Sequence, residues 1–125
     1  RFKKLENIID KRRNNANAYR KRLIQDKIFI PAEQSYEFNT YHTFVIQTDY
    51  RDDLKNYLSS NEIGTAIHYP IPIHLQPASR KLGYKLGDFP VTEKQSQQIL
   101  TLPINQSLTK EELDRIINTV NKFNF

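Results

Sequence analysis

A chain of 125 residues is long enough to bury one hydrophobic core, and this one carries a formal charge of +5 at pH 7. It has no cysteine, which excludes disulfide bonds and thiolate metal ligands. No apolar run approaches the length of a membrane-spanning helix. Hydrophobic residues make up only 38% of the chain, and methionine is absent. We therefore expect residues 1–125 to form one cytoplasmic domain cut from a longer polypeptide.

The first 24 residues predict a helix with one apolar stripe. Its members recur at intervals of three and four residues: Leu5, Ile8, Ile9, Arg12, Ala16, Tyr19 and Leu23. The opposite face is basic, and residues 1–27 hold ten basic side chains against three acidic ones. Such a face is usually solvated, but it also suits nucleic acid. A stand-alone module with a nucleic-acid-facing helix is therefore the alternative function.

The segment from residue 26 to residue 60 predicts a loop, a strand and a helix. The loop covers residues 26–39 and contains a short extended piece at residues 28–30. Residues 41–48 have strand composition, with Phe44 and Ile46 on one face. Asp49 is the expected N-cap of a helix that ends near Ser60.

A second strand is predicted for residues 65–69, because Pro70 and Pro72 lack N–H donors and have to end it. The proline-stiffened segment that follows suits a substrate-facing edge, and it equally suits a plain exit from the sheet.

The rest of the chain, from about residue 75, predicts three helices and a short strand. A short helix ends at Gly83. A longer one covers residues 90–100, and its expected inner residues are Val91, Ser96, Ile99 and Leu100. A strand follows at residues 101–104, and a capping box from Thr109 to Glu112 begins the last helix. The whole pattern predicts an α+β fold. We expect a small three-stranded, mostly antiparallel sheet with helices packed on one face.

Residue types alone supply no complete catalytic constellation. The three histidines are His42, His68 and His74, and the six-residue interval between the last two, across two prolines, is not a zinc-ligand spacing. The sequence has neither a nucleophile elbow nor a glycine-rich phosphate loop. Glu93, near a helix start, is explained by compensation of the helix dipole. We expect no catalytic residue, no cofactor-binding residue and no metal ligand here, only polar side chains contributed to a site built elsewhere.

Several spaced motifs resemble the DegT/StrS-type sugar aminotransferases. The longest is IGTAIHYPIPIHLQ, from Ile63 to Gln76. Three others follow or precede it in the order found in that family: LGY at residues 82–84 with GDFPVTE at 87–93, ILTLPI at 99–104, and the helix that contains Arg12, Arg13, Ala16 and Tyr19. The resemblance covers nearly the whole chain except residues 26–39.

The resemblance implies a fold-type-I enzyme that depends on pyridoxal phosphate and works as a homodimer with its active site between subunits. This chain resembles the C-terminal small domain of such an enzyme. The Schiff-base lysine and the other cofactor-binding groups would lie on a large domain that is absent, so the chain alone should be inactive. The implied substrates are a thymidine-diphosphate-linked keto-deoxysugar, aminated at C3, and an amino donor such as glutamate. The resemblance implies no binding to nucleic acid or membrane. A further alternative is a catalytically inactive domain that only dimerises.

The same resemblance points to three substrate-binding residues. His68 and Tyr69 match a pair that lies near the hexose of the bound nucleotide sugar. Imidazole and phenol groups can each donate and accept hydrogen bonds, which suits recognition of hydroxyls. His74 matches a second histidine, for which a substrate contact and a structural hydrogen bond are both open.

Overall fold

The computed structural model describes residues 4–24 and 26–125. The secondary-structure elements within these ranges follow in the order: α1 (Leu5–Arg22), β1 (Phe44–Gln47), α2 (Arg51–Ser60), two 3₁₀ helices (Ile73–Leu75 and Pro77–Leu82), α3 (Pro90–Gln98), β2 (Ile99–Leu102) and α4 (Lys110–Lys122). The class is α+β, as the sequence predicts. The expected helix start at Arg1 lies outside the described residues.

The sheet is antiparallel and its buried face is set by alternation. Phe44 of β1 lies opposite Leu102 of β2, and Ile46 lies opposite Leu100. All four side chains are buried, whereas Val45 and Gln47, which alternate with Phe44 and Ile46 along β1, are half-buried. This is the period of two that a strand imposes on its side chains. Burying each of these large apolar side chains stabilises the fold by about 1.5–3 kcal/mol.

The expected third strand is reduced to one residue. Ala66 and Thr101 exchange two backbone hydrogen bonds in an isolated antiparallel bridge, and the described chain pairs no further at that edge. Pro70 and Pro72 lack the donors that would extend the ladder. Phe29 makes a similar bridge on the outer edge of β1, so the expected extended piece at residues 28–30 is present.

One core joins the buried sheet face to helices α1, α2 and α4. Tyr19 of α1 stacks on Phe44 with ring centroids 4.8 Å apart, and its hydroxyl donates to the carbonyl oxygen of Pro103 at 2.6 Å. Leu54 and Leu58 of α2 are fully buried in the same core. The core residues of α4 are Leu113, Ile116, Ile117 and Val120.

The start of α2 corrects one expectation. Asp49 is not the N-cap, because the helix begins at Arg51 after Tyr50. The Asp49 carboxylate accepts instead from the side-chain amide of Gln98 at 2.5 Å. The hydroxyl of Thr48 accepts from the backbone N–H of Tyr50 at 3.2 Å and shapes the turn into the helix.

Local signals for the other helix ends are confirmed. The hydroxyl of Thr109 accepts from the N–H of Glu112, and the Glu112 carboxylate accepts from the N–H of Thr109, which completes the capping box. Gly83 ends the second 3₁₀ helix with a left-handed φ of 78°. Val91, expected on the inner face of α3, is 70% exposed. Ser96, also expected on that face, is buried, and so is Glu93.

Candidate substrate-binding site

A depression of about 540 Å³ lies beside the Ala66 bridge. Its walls come from α1, the entry to β1, the segment after the bridge, and β2 with the loop that follows it. The lining residues are Arg12, His42, Thr43, His68, Tyr69, Thr101, Leu102, Ile104 and Asn105. Two of the three predicted substrate-binding residues, His68 and Tyr69, thus share one wall.

His68 is positioned by β2. The bridge between Ala66 and Thr101 places the segment along the strand edge, and His68 Nδ1 lies 3.0 Å from the hydroxyl oxygen of Thr101. Thr101 is itself buried, so its hydroxyl is a fixed partner. No hydrogen bond among the described residues engages Nε2 of His68. That nitrogen can therefore donate to a ligand or accept from it, according to the tautomer.

Tyr69 projects from the rim of the depression. Its side chain is 71% exposed, and its ring meets the His68 ring edge-on with centroids 5.5 Å apart. The peptide bond between the two residues is cis. The pair offers an imidazole and a phenol side by side on the surface, which is a suitable arrangement for recognising the hydroxyls of a sugar.

His74 lies apart from this pair. It is 9% exposed, sits on the first 3₁₀ helix, and its Nε2 lies 2.9 Å from a carboxylate oxygen of Glu93. Its ring also packs on Phe89, with centroids 4.7 Å apart. It lines a separate depression of about 320 Å³ that includes Leu82 and Tyr84. The structure therefore does not bring His74 together with His68 and Tyr69.

The sequence analysis explained Glu93 by the helix dipole alone and missed the hydrogen bonds that this carboxylate accepts. Its carboxylate accepts from the backbone N–H groups of Gly87 at 2.9 Å and Phe89 at 3.2 Å, in addition to its contact with His74. Burial raises the pKa of Glu93, but the hydrogen bonds from Gly87, His74 and Phe89 together lower it, and the net pKa is below its ordinary value. Two of these partners are six and nineteen residues away, so the sequence carried no local sign of them.

A second carboxylate organises the entry to β1. Glu33 accepts from the guanidinium of Arg13, the backbone N–H of Asn39 and the hydroxyl of Tyr41, each at 2.7 Å. The hydrogen bond from Arg13 is the largest cause that lowers the pKa of Glu33, to about 2. Because Tyr41 directly precedes His42, this network sets where the chain enters the wall of the depression.

Arg12 is held in that wall by a neutral partner. Its Nε and one terminal nitrogen both donate to the side-chain oxygen of Gln106 at 3.2 Å. The sequence analysis placed Arg12 in the apolar stripe of α1 and in the helix motif of the family, but it assigned no binding role to this residue. The side chain is half-buried, and the residues that line the depression include no aspartate or glutamate.

The described ranges contain neither a metal-binding cluster nor a membrane-spanning helix. No group of three or more His, Cys, Asp or Glu side chains in residues 4–24 and 26–125 is arranged to hold a metal ion. Over the same residues, none of the helices has both the length and the apolar character needed to cross a membrane.

The DegT/DnrJ/EryC1/StrS aminotransferase family matches residues 1–121 of the chain. The chain belongs to this family. The sequence resemblance is thereby confirmed, and aminotransferases of this family depend on pyridoxal phosphate.

The pleiotropic regulatory protein of Geobacillus stearothermophilus is 31% identical over 126 residues, which cover 98% of the chain and 34% of that protein. The dTDP-3-amino-3,6-dideoxy-alpha-D-galactopyranose transaminase of Aneurinibacillus thermoaerophilus is 29% identical over 97% of the chain and 33% of its own length. The crystal structure of S. venezuelae DesV superposes with a TM-score of 0.92 at 30% identity, over 97% of the chain and 33% of DesV. The chain thus spans about a third of the length of these relatives.

The depression beside His68 does not by itself fit pyridoxal phosphate. The cofactor needs a lysine amine for its Schiff base and a partner for its ring nitrogen. The residues that line the depression beside His68 include neither a lysine nor a carboxylate. The roles predicted for this wall are consequently limited to binding and orienting a substrate. No finding tests the nucleic-acid-facing role of α1, which stays a prediction.

Proposed function

We propose that residues 1–125 form the C-terminal small domain of a pyridoxal-phosphate-dependent aminotransferase that aminates a nucleotide-linked keto-deoxysugar. The observation that carries the proposal is the depression at His68 and Tyr69, in a chain that belongs to the DegT/DnrJ/EryC1/StrS aminotransferase family. The similar transaminase from Aneurinibacillus supports a thymidine-diphosphate sugar and amination at C3. Glutamate is the proposed amino donor.

In this proposal the cofactor is bound by a part of the enzyme outside this chain. The absence of lysine and carboxylate from the lining of the depression supports that division. His68, oriented by Thr101, and Tyr69 at the rim would bind the hydroxyls of the hexose and exclude water around it. No residue of this chain is assigned a catalytic role.

An exposed apolar stretch supports the presence of a further domain. Eight large hydrophobic side chains between residues 69 and 91 are exposed: Tyr69, Ile71, Ile73, Leu82, Tyr84, Leu86, Phe89 and Val91. A large exposed apolar patch is typical of a surface that another protein or domain covers. We propose that the cofactor-binding domain covers them in the full-length enzyme, which works as a homodimer.

His74 has a different role in this proposal. The resemblance grouped it with the substrate-binding residues, but its buried contact with Glu93 supports a positioning role. Through that contact His74 holds the proline-stiffened segment against the loop at Gly87 and Phe89. The exposed pair His68–Tyr69 is thereby anchored at both ends, by Thr101 on one side and by Glu93 on the other.

The test uses the full-length protein and the variants His68→Asn and Tyr69→Phe. Each should lower kcat/KM for the nucleotide keto-sugar by about tenfold, the effect of losing one substrate hydrogen bond. The absorbance of the bound cofactor should be unchanged. Tyr36→Phe, which removes an exposed hydroxyl outside the depression, is the matched control. Loss of cofactor absorbance in both site variants, or an unchanged kcat/KM, would contradict the proposal.

A further inference from the structure

We propose that Arg12 and His42 form an anion subsite for a phosphoryl group, next to the hexose contacts at His68 and Tyr69. This inference rests on the proposed function, under which the phosphoryl groups are those of the diphosphate in the nucleotide sugar. Arg12 and His42 come from α1 and the entry to β1, and both line the same depression as His68 and Tyr69.

Arg12 is a half-buried cation without a counterion among the described residues. Its hydrogen-bond acceptor is the neutral amide of Gln106, and none of the ion pairs in that part of the chain includes it. The adjacent Arg13, by contrast, pairs with Glu33 at 2.7 Å. Removing a cation from water without a partner is costly, and an anionic ligand would offset that cost.

The guanidinium of Arg12 has N–H donors that remain available for an anionic ligand. A guanidinium has five N–H donors, and the Gln106 oxygen takes one from Nε and one from a terminal nitrogen. Three donors remain. The same amide fixes the orientation of the planar group, which favours two-pronged recognition of phosphate oxygens.

The remaining lining of the depression is compatible with negative charge. It offers the exposed imidazole of His42, the hydroxyl of Thr43 and the amide of Asn105, and it contains no acidic side chain that would repel a phosphate. A volume of about 540 Å³ is within the range of sites for small ligands. A phosphoryl group at Arg12 and a hexose at His68 would then occupy neighbouring parts of one depression.

The experiment measures pyrophosphate binding to the full-length, cofactor-loaded protein by calorimetry at constant ionic strength. Arg12→Gln should weaken the Kd by about tenfold, as expected for one charge-assisted contact, and Arg12→Lys should weaken it less. Lys11→Gln removes the same charge from the adjacent, exposed position and should leave the Kd within twofold. Equal effects of Arg12→Gln and Lys11→Gln, or no effect of either, would overturn the subsite.

Steady-state kinetics separates this inference from the proposed function. With the keto-sugar nucleotide, Arg12→Gln should raise KM by about tenfold and leave kcat within twofold. If the wild type binds pyrophosphate through Arg12 but does not turn over the sugar, the proposed function fails and the subsite stands. If turnover is normal but both KM and pyrophosphate binding are unchanged in Arg12→Gln, the subsite fails.

A further variant tests the orientation of the guanidinium. Gln106→Ala frees the guanidinium while keeping its charge, and it should also weaken pyrophosphate binding. Circular dichroism verifies that each variant is folded.

Discussion

The Nδ1 atom of His68 lies 3.0 Å from the hydroxyl oxygen of Thr101, so a residue buried in β2 sets the orientation of an exposed imidazole at the candidate site. Thr101→Val keeps the shape of the threonine side chain but removes this hydrogen bond. In the full-length protein it should raise KM for the nucleotide sugar by about fivefold, which corresponds to one neutral hydrogen bond of about 1 kcal/mol. Steady-state kinetics measures the effect.

Thr101→Ser is the matched control for that prediction. It keeps the hydroxyl and loses only a methyl group, so KM should stay within twofold of the wild type. Equal KM values for the valine and serine variants would show that the hydroxyl does not orient His68 for binding.

The pairing of Glu33 with Arg13 predicts a specific acid sensitivity. In the folded chain the pKa of Glu33 is lowered to about 2 from an ordinary value of 4.5. Because the folded-state pKa is the lower one, the ionised carboxylate contributes stability above about pH 4.5, and this contribution is lost as the pH falls toward 2. Thermal unfolding from pH 7 to pH 2 should show Glu33→Gln less stable than the wild type at neutral pH, with the difference shrinking at acid pH.

Glu111→Gln tests the specificity of the Glu33 effect. Glu111 is an exposed carboxylate in the first turn of α4. Its substitution should leave the acid dependence of unfolding close to that of the wild type. A constant gap in Tm between Glu33→Gln and the wild type down to pH 2 would exclude the proposed role of Glu33.

The contacts of Glu93 predict how firmly the loop before α3 is held. Glu93→Gln replaces a carboxylate that accepts from Gly87, Phe89 and His74 with an amide that has one acceptor oxygen. Amide hydrogen exchange at Gly87 and Phe89 should speed up by about tenfold, since charge-assisted hydrogen bonds are roughly twice as strong as neutral ones. Lys94→Gln, an exposed change on the same helix, should not alter these rates. Unchanged exchange in Glu93→Gln would rule out Glu93 as the anchor.

The hydroxyl of Tyr19 predicts a measurable share of the stability. Tyr19→Phe preserves the ring that stacks on Phe44 but leaves the carbonyl oxygen of Pro103 without its donor at 2.6 Å. The free energy of unfolding should fall by about 1–2 kcal/mol. Urea unfolding gives the value, and Tyr36→Phe, at an exposed position, should change it by less than about 0.5 kcal/mol. Equal changes in the two variants would mean that the Tyr19 hydroxyl adds nothing to stability.

Features with partners close in sequence were predictable. The two residues of the capping box, Thr109 and Glu112, are three positions apart. The helix end at Gly83 depends only on the left-handed backbone conformation that this glycine adopts. The alternation that buries Phe44 and Ile46 is likewise visible in the sequence, because strand geometry imposes it on neighbouring residues. Where a partner lay across the sheet, the same local logic went wrong, as at Asp49, whose carboxylate is taken by Gln98.

The identity of the family and the α+β class followed from motif order and local periodicity, which do not depend on how the elements pack. Packing alone decided what each polar side chain faces. His68 and Tyr69 line the depression. His74, only a few residues further on, is buried and hydrogen-bonds to Glu93, nineteen positions away. Arg12 meets Gln106 across 94 residues. Hydrogen bonds of this kind depend on distance in space, and spacing along the chain carries no record of them.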